Sequence, residues 1–160
     1  MLSNNASAQI GETRLKSIWL EKFSKFIEWP TNDSLEYFTI TILGKGDINQ
    51  YLESIYKDRT IKDKPVRIRV IDHIDSLNGA NILFINNDCA KDLDKILELV
   101  EDKPILTIGD TQGFARRGII INFYLDQNKV RFELNISAAK SSGLDVDFRL
   151  LEAAKIVKKI

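Results

Sequence analysis

The sequence predicts an α/β fold: a single three-layer domain, with a mainly parallel sheet, helices on both faces and a C-terminal antiparallel hairpin. Three observations carry this. Apolar strand-length runs alternate with helical periodicity through residues 37–108, the pattern of parallel strands joined by helical crossovers. Two runs of strict period-two alternation flank a polar turn between residues 119 and 135. Amphipathic helical patterns precede the first strand and follow the last one.

The first helix spans residues 13–27. Leu15, Ile18, Trp19, Phe23, Phe26 and Ile27 recur at helical steps, and Lys16, Glu21, Lys22, Lys25 and Glu28 occupy the opposite face. Pro30 ends it, because the residue before a proline is pushed out of the α region. Residues 37–43, YFTITIL, read as a buried strand, followed by Gly44-Lys45-Gly46 and a helix over 48–57. Residues 64–71 form the next strand, with Val66, Ile68 and Val70 on one face and Arg67 and Arg69 on the other. A short apolar strand, NILFIN, covers 81–86. Asn87 or Asp88 can cap the helix over 90–101, whose inward residues are Leu93, Ile96, Leu97 and Val100. Residues 105–108 are another strand. A last helix over 148–160 presents Phe148, Leu151, Ile156, Val157 and Ile160.

The hairpin follows from its pattern alone. Ile119, Ile121, Phe123 and Leu125 alternate with Ile120, Asn122 and Tyr124; Val130, Phe132 and Leu134 alternate with Arg131, Glu133 and Asn135. A turn at residues 126–129 pairs Leu125 with Val130, Phe123 with Phe132 and Ile121 with Leu134. A slip by one residue would turn the apolar set to the wrong face, so the register is specified even though Gln-Asn leaves the turn type open. The apolar set should be core.

A chain of 160 residues fits one domain that buries roughly 70% of the surface its unfolded form would expose. Residues 1–12 read as a flexible tail ahead of a domain over 13–160. Ala6-Ser7-Ala8 before Gln9 has the small-x-small form of a signal-peptidase site, the stub of a removed leader; a plain tail is the alternative. Lys plus Arg and Asp plus Glu both number 23, which makes no electrostatic case for nucleic acid. No apolar run approaches the roughly 20 residues of a membrane span. Cys89 stands alone, so neither an intrachain disulfide nor a Cys-x-x-Cys metal or redox pair is available.

No catalytic constellation is legible, and no metal or cofactor is expected. Cys89 has no identified base, since His73 is the only histidine and has no pairing. The strand–Gly-Lys-Gly–helix unit lacks the third glycine of a dinucleotide fingerprint, where Asn49 stands, although an anion at that helix start is physically possible. Asp110 ends a strand, where open α/β sheets place ligands, but a lone carboxylate there commonly bonds turn amides, here those of residues 111–113. Arg116 and Arg117, after Phe114, form a basic loop tip suited to an acidic partner or anion, or simply solvated. The polar hairpin face, with Asn122, Tyr124, Arg131, Glu133 and Asn135, is either a directional hydrogen-bonding surface or a solvated face with a cross-strand ion pair of small value.

Several of these segments together resemble the YfiR-like family. Residues 22–30, KFSKFIEWP, are similar to its opening KFxKFIxWP signature, and residues 38–44, FTITILG, to its first strand. Asp110 with Gly113-Phe114-Ala115 resembles its D…GFA loop. Residues 121–123, INF, with 131–135, RFELN, resemble its hairpin. Ala138-Ala139, Gly143-Leu144 and Leu150-Leu151 resemble its ending, so the likeness spans about residues 13–157. It implies an exported, periplasmic α/β protein, often dimeric. Such a protein represses a membrane-bound diguanylate cyclase by binding its sensory domain, and related domains accompany histidine kinases. Two departures stand out. Ala80-Asn81 replaces a Cys-His pair that often enters the third strand, and Ile119 replaces a second glycine before INF. With Cys89 alone, the redox-sensitive disulfides of some relatives cannot form within this chain.

The functional expectation is a non-enzymatic, extracytoplasmic regulator, a homodimer, that represses the sensory domain of a membrane diguanylate cyclase or histidine kinase. Phe114, Arg116, Arg117, Asn122, Arg131, Glu133 and Asn135 would form its contact surface. The alternative is a small-ligand sensor with a site at Gly44, Gly46 and Asp110, on the C-terminal edge of the sheet.

Overall fold

Residues 82–85, Ile-Leu-Phe-Ile, contain no polar position, and the strand they form is buried on both faces. The computed structural model describes residues 2–31 and 34–160, with side chains from Ala6 onward. The chain runs through α1 (Leu2–Phe26), β1 (Ile27–Glu28), β2 (Phe38–Leu43), α2 (Ile48–Tyr56), β3 (Thr60–Ile61), β4 (Lys64–Ile71) and β5 (Ile82–Ile85). It continues through α3 (Leu93–Val100), β6 (Leu106–Gly109), α4 (Phe114–Arg117), β7 (Ile121–Asp126), β8 (Lys129–Leu134), α5 (Ile136–Ser141), β9 (Asp145–Val146), α6 (Phe148–Ala153) and β10 (Lys155–Ile156).

The eight-stranded sheet has the order β10-β8-β7-β6-β5-β2-β4-β3. β4, β2, β5, β6 and β7 are mutually parallel, and the antiparallel partners are β8 on β7 and β3 on β4. Both faces are covered, as a parallel sheet requires. Ile82 and Phe84 join the core under α1 and α2; Leu83 and Ile85 join the one under α3. The α/β class is as the sequence predicts.

The hairpin register is Ile121↔Leu134, Phe123↔Phe132 and Leu125↔Val130, the predicted pairing. Gln127 and Asn128 take φ of 49° and 63°, the left-handed pair that a type I′ turn requires. The apolar face is not core throughout. Leu125 is 52% exposed and Val130 half-buried, because β6 supports β7 only at Ile121 and Asn122 and the hairpin tip runs past it. Ile119 also departs from the pattern. It lies in the α3 core, while Ile121 lies in the α1 core, since the strand begins only after the Gly118 turn.

Other expectations need correction. α1 starts at Leu2, within the stretch read as a tail, and ends at Phe26, because Ile27 and Glu28 pair with Val146 and Asp145. Its buried face is rotated from the predicted stripe: Lys16, Ser17, Leu20, Phe23 and Ser24 are buried and Leu15 is exposed. Phe23 packs between Phe123 and Phe132, with ring centroids 5.8 and 5.0 Å away. The last helix stops at Ala153. Lys155 and Ile156 then pair with Glu133 and Leu134, and Val157 N–H donates to Leu134 O, so ladder bonds on the open β8 edge prevail over the helical pattern. Phe148 and Ile160 are exposed as a result, and Leu150 and Val157 are buried. Val70, on the same face as Val66 and Ile68, is 52% exposed at the opposite edge.

Candidate functional site

The strand order creates a crevice. From β2 the chain goes to β4 on one side, then crosses to β5, β6 and β7 on the other. The switch point therefore lies between the C-terminal ends of β2 and β5, the place where open α/β sheets bind ligands. A cavity of about 440 Å³ sits there, lined by Lys16, Gly46, Asp47, Tyr51, Asn86 and Asp110 among others.

Its central polar feature is Lys16. The ammonium donates to Asp110 Oδ2 at 3.0 Å and lies 2.6 Å from Glu12 Oε1. Lys16 is only 8% exposed, so this is a largely desolvated pair that ties α1 to the end of β6. The predicted bonding of Asp110 to turn amides is not what holds it; its partner is this lysine. Asp110 Oδ1 is enclosed and has no hydrogen-bond partner among the described residues.

The Gly-Lys-Gly turn separates into two roles. Gly46 lines the cavity against Asn86, whose Oδ1 would lie 2.6 Å from a Cβ there. Gly44, with φ of 89°, packs on Asp88 and Cys89, and a side chain would collide with both. The Asp88 carboxylate accepts the Lys45 N–H, 3.2 Å from each oxygen. The Lys45 amide of this turn is thus taken by the protein's own carboxylate rather than left for an external anion. Of the three expected ligand residues, Gly46 and Asp110 come together and Gly44 does not join them.

The expected contact surface divides by burial. Phe114 is 2% exposed and belongs to the α3 core; a four-residue helix between glycines shows no periodicity that would reveal which side faces in. Asn122 is buried because β7 is an interior strand, and its Nδ2 donates to Thr111 O at 2.9 Å. Asn135 is buried as the cap of α5: Oδ1 accepts the Ala138 N–H and Nδ2 donates to Ala115 O at 2.8 Å. These three organise the surface from beneath. Arg116, Arg117 and Arg131 are exposed and Glu133 is half-buried.

The exposed residues stand on two elements, Arg116 and Arg117 on α4 and Arg131 and Glu133 on β8. Asn135 bolts the end of β8 to α4, and Ile160 N–H donates to Arg116 O, drawing the C-terminus to the same place. Arg117 pairs with Asp94 at 2.6 Å, Arg131 with Asp126 at 3.1 Å, and Glu133 lies 3.9 Å from Lys155. Lys155 also sits over the Tyr124 ring. The Arg117–Asp94 and Arg131–Asp126 pairs are exposed, and such pairs contribute roughly 0–1 kcal/mol, so a partner can replace them at little cost.

Burial, reinforced by Asp88 and Asp92, pushes the Cys89 thiol above its ordinary range, which disfavours the nucleophilic thiolate. His73 is exposed beside a 3-10 turn over Ile74–Ser76. Among the described residues no group of three His, Cys, Asp or Glu side chains could hold a metal, and no helix is long and apolar enough to cross a membrane.

No curated protein matches the chain in sequence. A family profile described as YfiR/HmsC-like matches residues 13–155, from the middle of α1 to the start of β10. Domains of this family are in general periplasmic, regulatory rather than catalytic, and partnered with a membrane signalling protein, typically a diguanylate cyclase. The match takes in the parallel strands β2, β4, β5, β6 and β7, the terminal hairpin, and Lys16, Gly46 and Asp110 of the cavity, and the chain belongs to the YfiR/HmsC-like family.

Proposed function

We propose that this protein binds the extracytoplasmic sensory domain of a membrane signalling protein, a diguanylate cyclase or a histidine kinase, and holds it inactive. Family membership across residues 13–155 carries the reading. Arg116, Arg117, Arg131 and Glu133 form the proposed contact. It is rigidly backed by Asn135 and Phe114, and its exposed ion pairs exchange easily. The protein acts as a homodimer in this reading. Capture from native envelope, with mass-spectrometric identification, tests it. The expected prey is a protein with an extracytoplasmic sensory domain and a cyclase or kinase output, lost with Arg116→Glu combined with Arg131→Glu. Equal capture by the double variant would sink this contact; capture of no such protein would sink the reading.

The switch-point cavity favours a second reading, a small-ligand sensor. Gly46 and Asp110 line it as the topology predicts. A ligand present at about 100 times its Kd would stabilise the fold by about 2.7 kcal/mol, a Tm rise of roughly 5–10 °C for a domain of this size. A metabolite panel that leaves Tm unchanged would count against it.

A further inference from the structure

The sheet ends at β4 with an edge only partly closed. β3 pairs with Lys64 and Pro65 and goes no further. The Ile71 carbonyl accepts the Gly44 N–H at 2.9 Å, so it faces β2. Main-chain groups alternate in direction along a strand, so Arg67, Arg69 and Ile71 bond inward, and Ile68 and Val70 point N–H and C=O outward. An open edge of this kind is a template for another strand.

The side chains around the edge are as one-sided as the backbone. Arg67 and Arg69 lie on the α3 side, Val66, Ile68 and Val70 on the α2 side. Arg67 lies over the Tyr37 ring at 4.1 Å, and Arg69 donates to Asn78 O at 3.2 Å. Neither meets a carboxylate among the described residues, whereas Arg59, Lys62, Arg117, Arg131 and Arg149 each do. In a chain of zero formal net charge, this edge thus holds two arginines without an ion-pair partner among the described residues, beside an exposed valine.

We propose that the outer edge of β4 docks an extended acidic segment of a protein partner, added as a further strand in which acidic and apolar residues alternate. Residues opposite one another in a ladder share a face. Acidic positions of the segment therefore meet Arg67 and Arg69, and apolar ones cover Ile68 and Val70. A second copy of this chain fits poorly, because antiparallel pairing centred on Ile68 sets Arg67 against Arg69 of the copy, like charges directly opposed. The docking mode is main-chain pairing, with specificity from alternate side chains.

The proposal takes its setting from the partner-binding reading but uses a different edge, and its test needs no envelope protein. The probe is a blocked peptide alternating glutamate and valine, with a twin carrying lysine for glutamate. Fluorescence anisotropy should show the acidic peptide binding at least about tenfold tighter, with slowed amide exchange at Ile68 and Val70. Val70→Pro removes one outward N–H and leaves the β2 ladder intact; it should abolish binding while circular dichroism stays unchanged. Arg67→Glu with Arg69→Glu should reverse the preference between the twins. Equal binding of both peptides, protection elsewhere, or unaltered binding by Val70→Pro would overturn the proposal. So would a dimer of the free protein that Val70→Pro dissociates, since the occupant would then be a second copy. Failed envelope capture alongside acidic-peptide binding would count against the regulator reading alone.

Discussion

Each end of the sheet is capped by a strand of only two residues, β10 on β8 and β3 on β4, and what lies behind the cap differs. At the β8 end the chain returns on itself: Lys155 and Ile156 pair with Glu133 and Leu134, Val157 adds a further bond, and Glu133 has Lys155 nearby. At the β4 end the cover stops at Pro65, Val70 is 52% exposed, and Arg67 and Arg69 meet no carboxylate among the described residues. The β8 end is also the thick end, where Trp19 and Phe23 of α1 pack with Phe123 and Phe132 of the hairpin. Buried aromatic packing is thus concentrated at the β8 end, and the longer uncapped run, Val66 to Ile71, lies at the β4 end.

Substitution should expose that asymmetry. Phe132 is 1% exposed and touches both Trp19 and Phe23, so Phe132→Ala leaves a cavity in the aromatic stack and should cost about 3–5 kcal/mol in urea unfolding. Val70→Ala at the other end should stay within about 0.5 kcal/mol. Similar losses at both sites would mean that the β4 end carries as much of the fold as the β8 end.

Lys16 comes next in size. Lys16→Met keeps the stem but strands Asp110 and Glu12 facing each other in a largely buried site, and about 1–3 kcal/mol should be lost. Pairing it with Asp110→Asn should recover part of the loss, which a double-mutant cycle in denaturant would measure. Full additivity would show that the pair contributes nothing to anchoring α1.

These sites also mark how far the sequence could be read. The hairpin register was legible because period-two alternation ran on both sides of a short turn, and a one-residue slip would have exposed Phe123 and Phe132. That Gly46 and Asp110 follow the C-terminal ends of strands was legible from strand–helix alternation, but the strand order that puts them at the switch point was not. Lys16 was not legible: its partner Asp110 lies 94 residues away, and a lysine on a charged helix stripe looks solvated. β10 was hidden because two residues set no period, and the open β8 edge decided their conformation. Asn122 and Asn135 read as surface because alternation reports a face, not whether another element covers it. Here α4 and the loop before it do so.

The junction that leads into β10 yields the smallest effect. Asp147 caps α6 by accepting the Arg149 N–H at 2.9 Å, and the Arg149 guanidinium grips both carboxylate oxygens. Hydrogen bonds from Arg149 lower the Asp147 pKa from 3.8 to about 2. A depressed carboxyl pKa means that the unfolded chain binds the proton more readily than the native one. The contribution is therefore complete above about pH 4 and lost as pH falls toward 2. NMR titration of the Asp147 carboxyl should show the low midpoint in the native protein. Arg149→Met should raise it toward 3.8 and remove this part of the acid sensitivity, leaving the Glu133–Lys155 contact and β10 in place. If acid instead releases β10 first, seen as faster amide exchange at Val157 before Asp147 titrates, the β8 end would depend on Glu133 and Lys155 more than on backbone pairing.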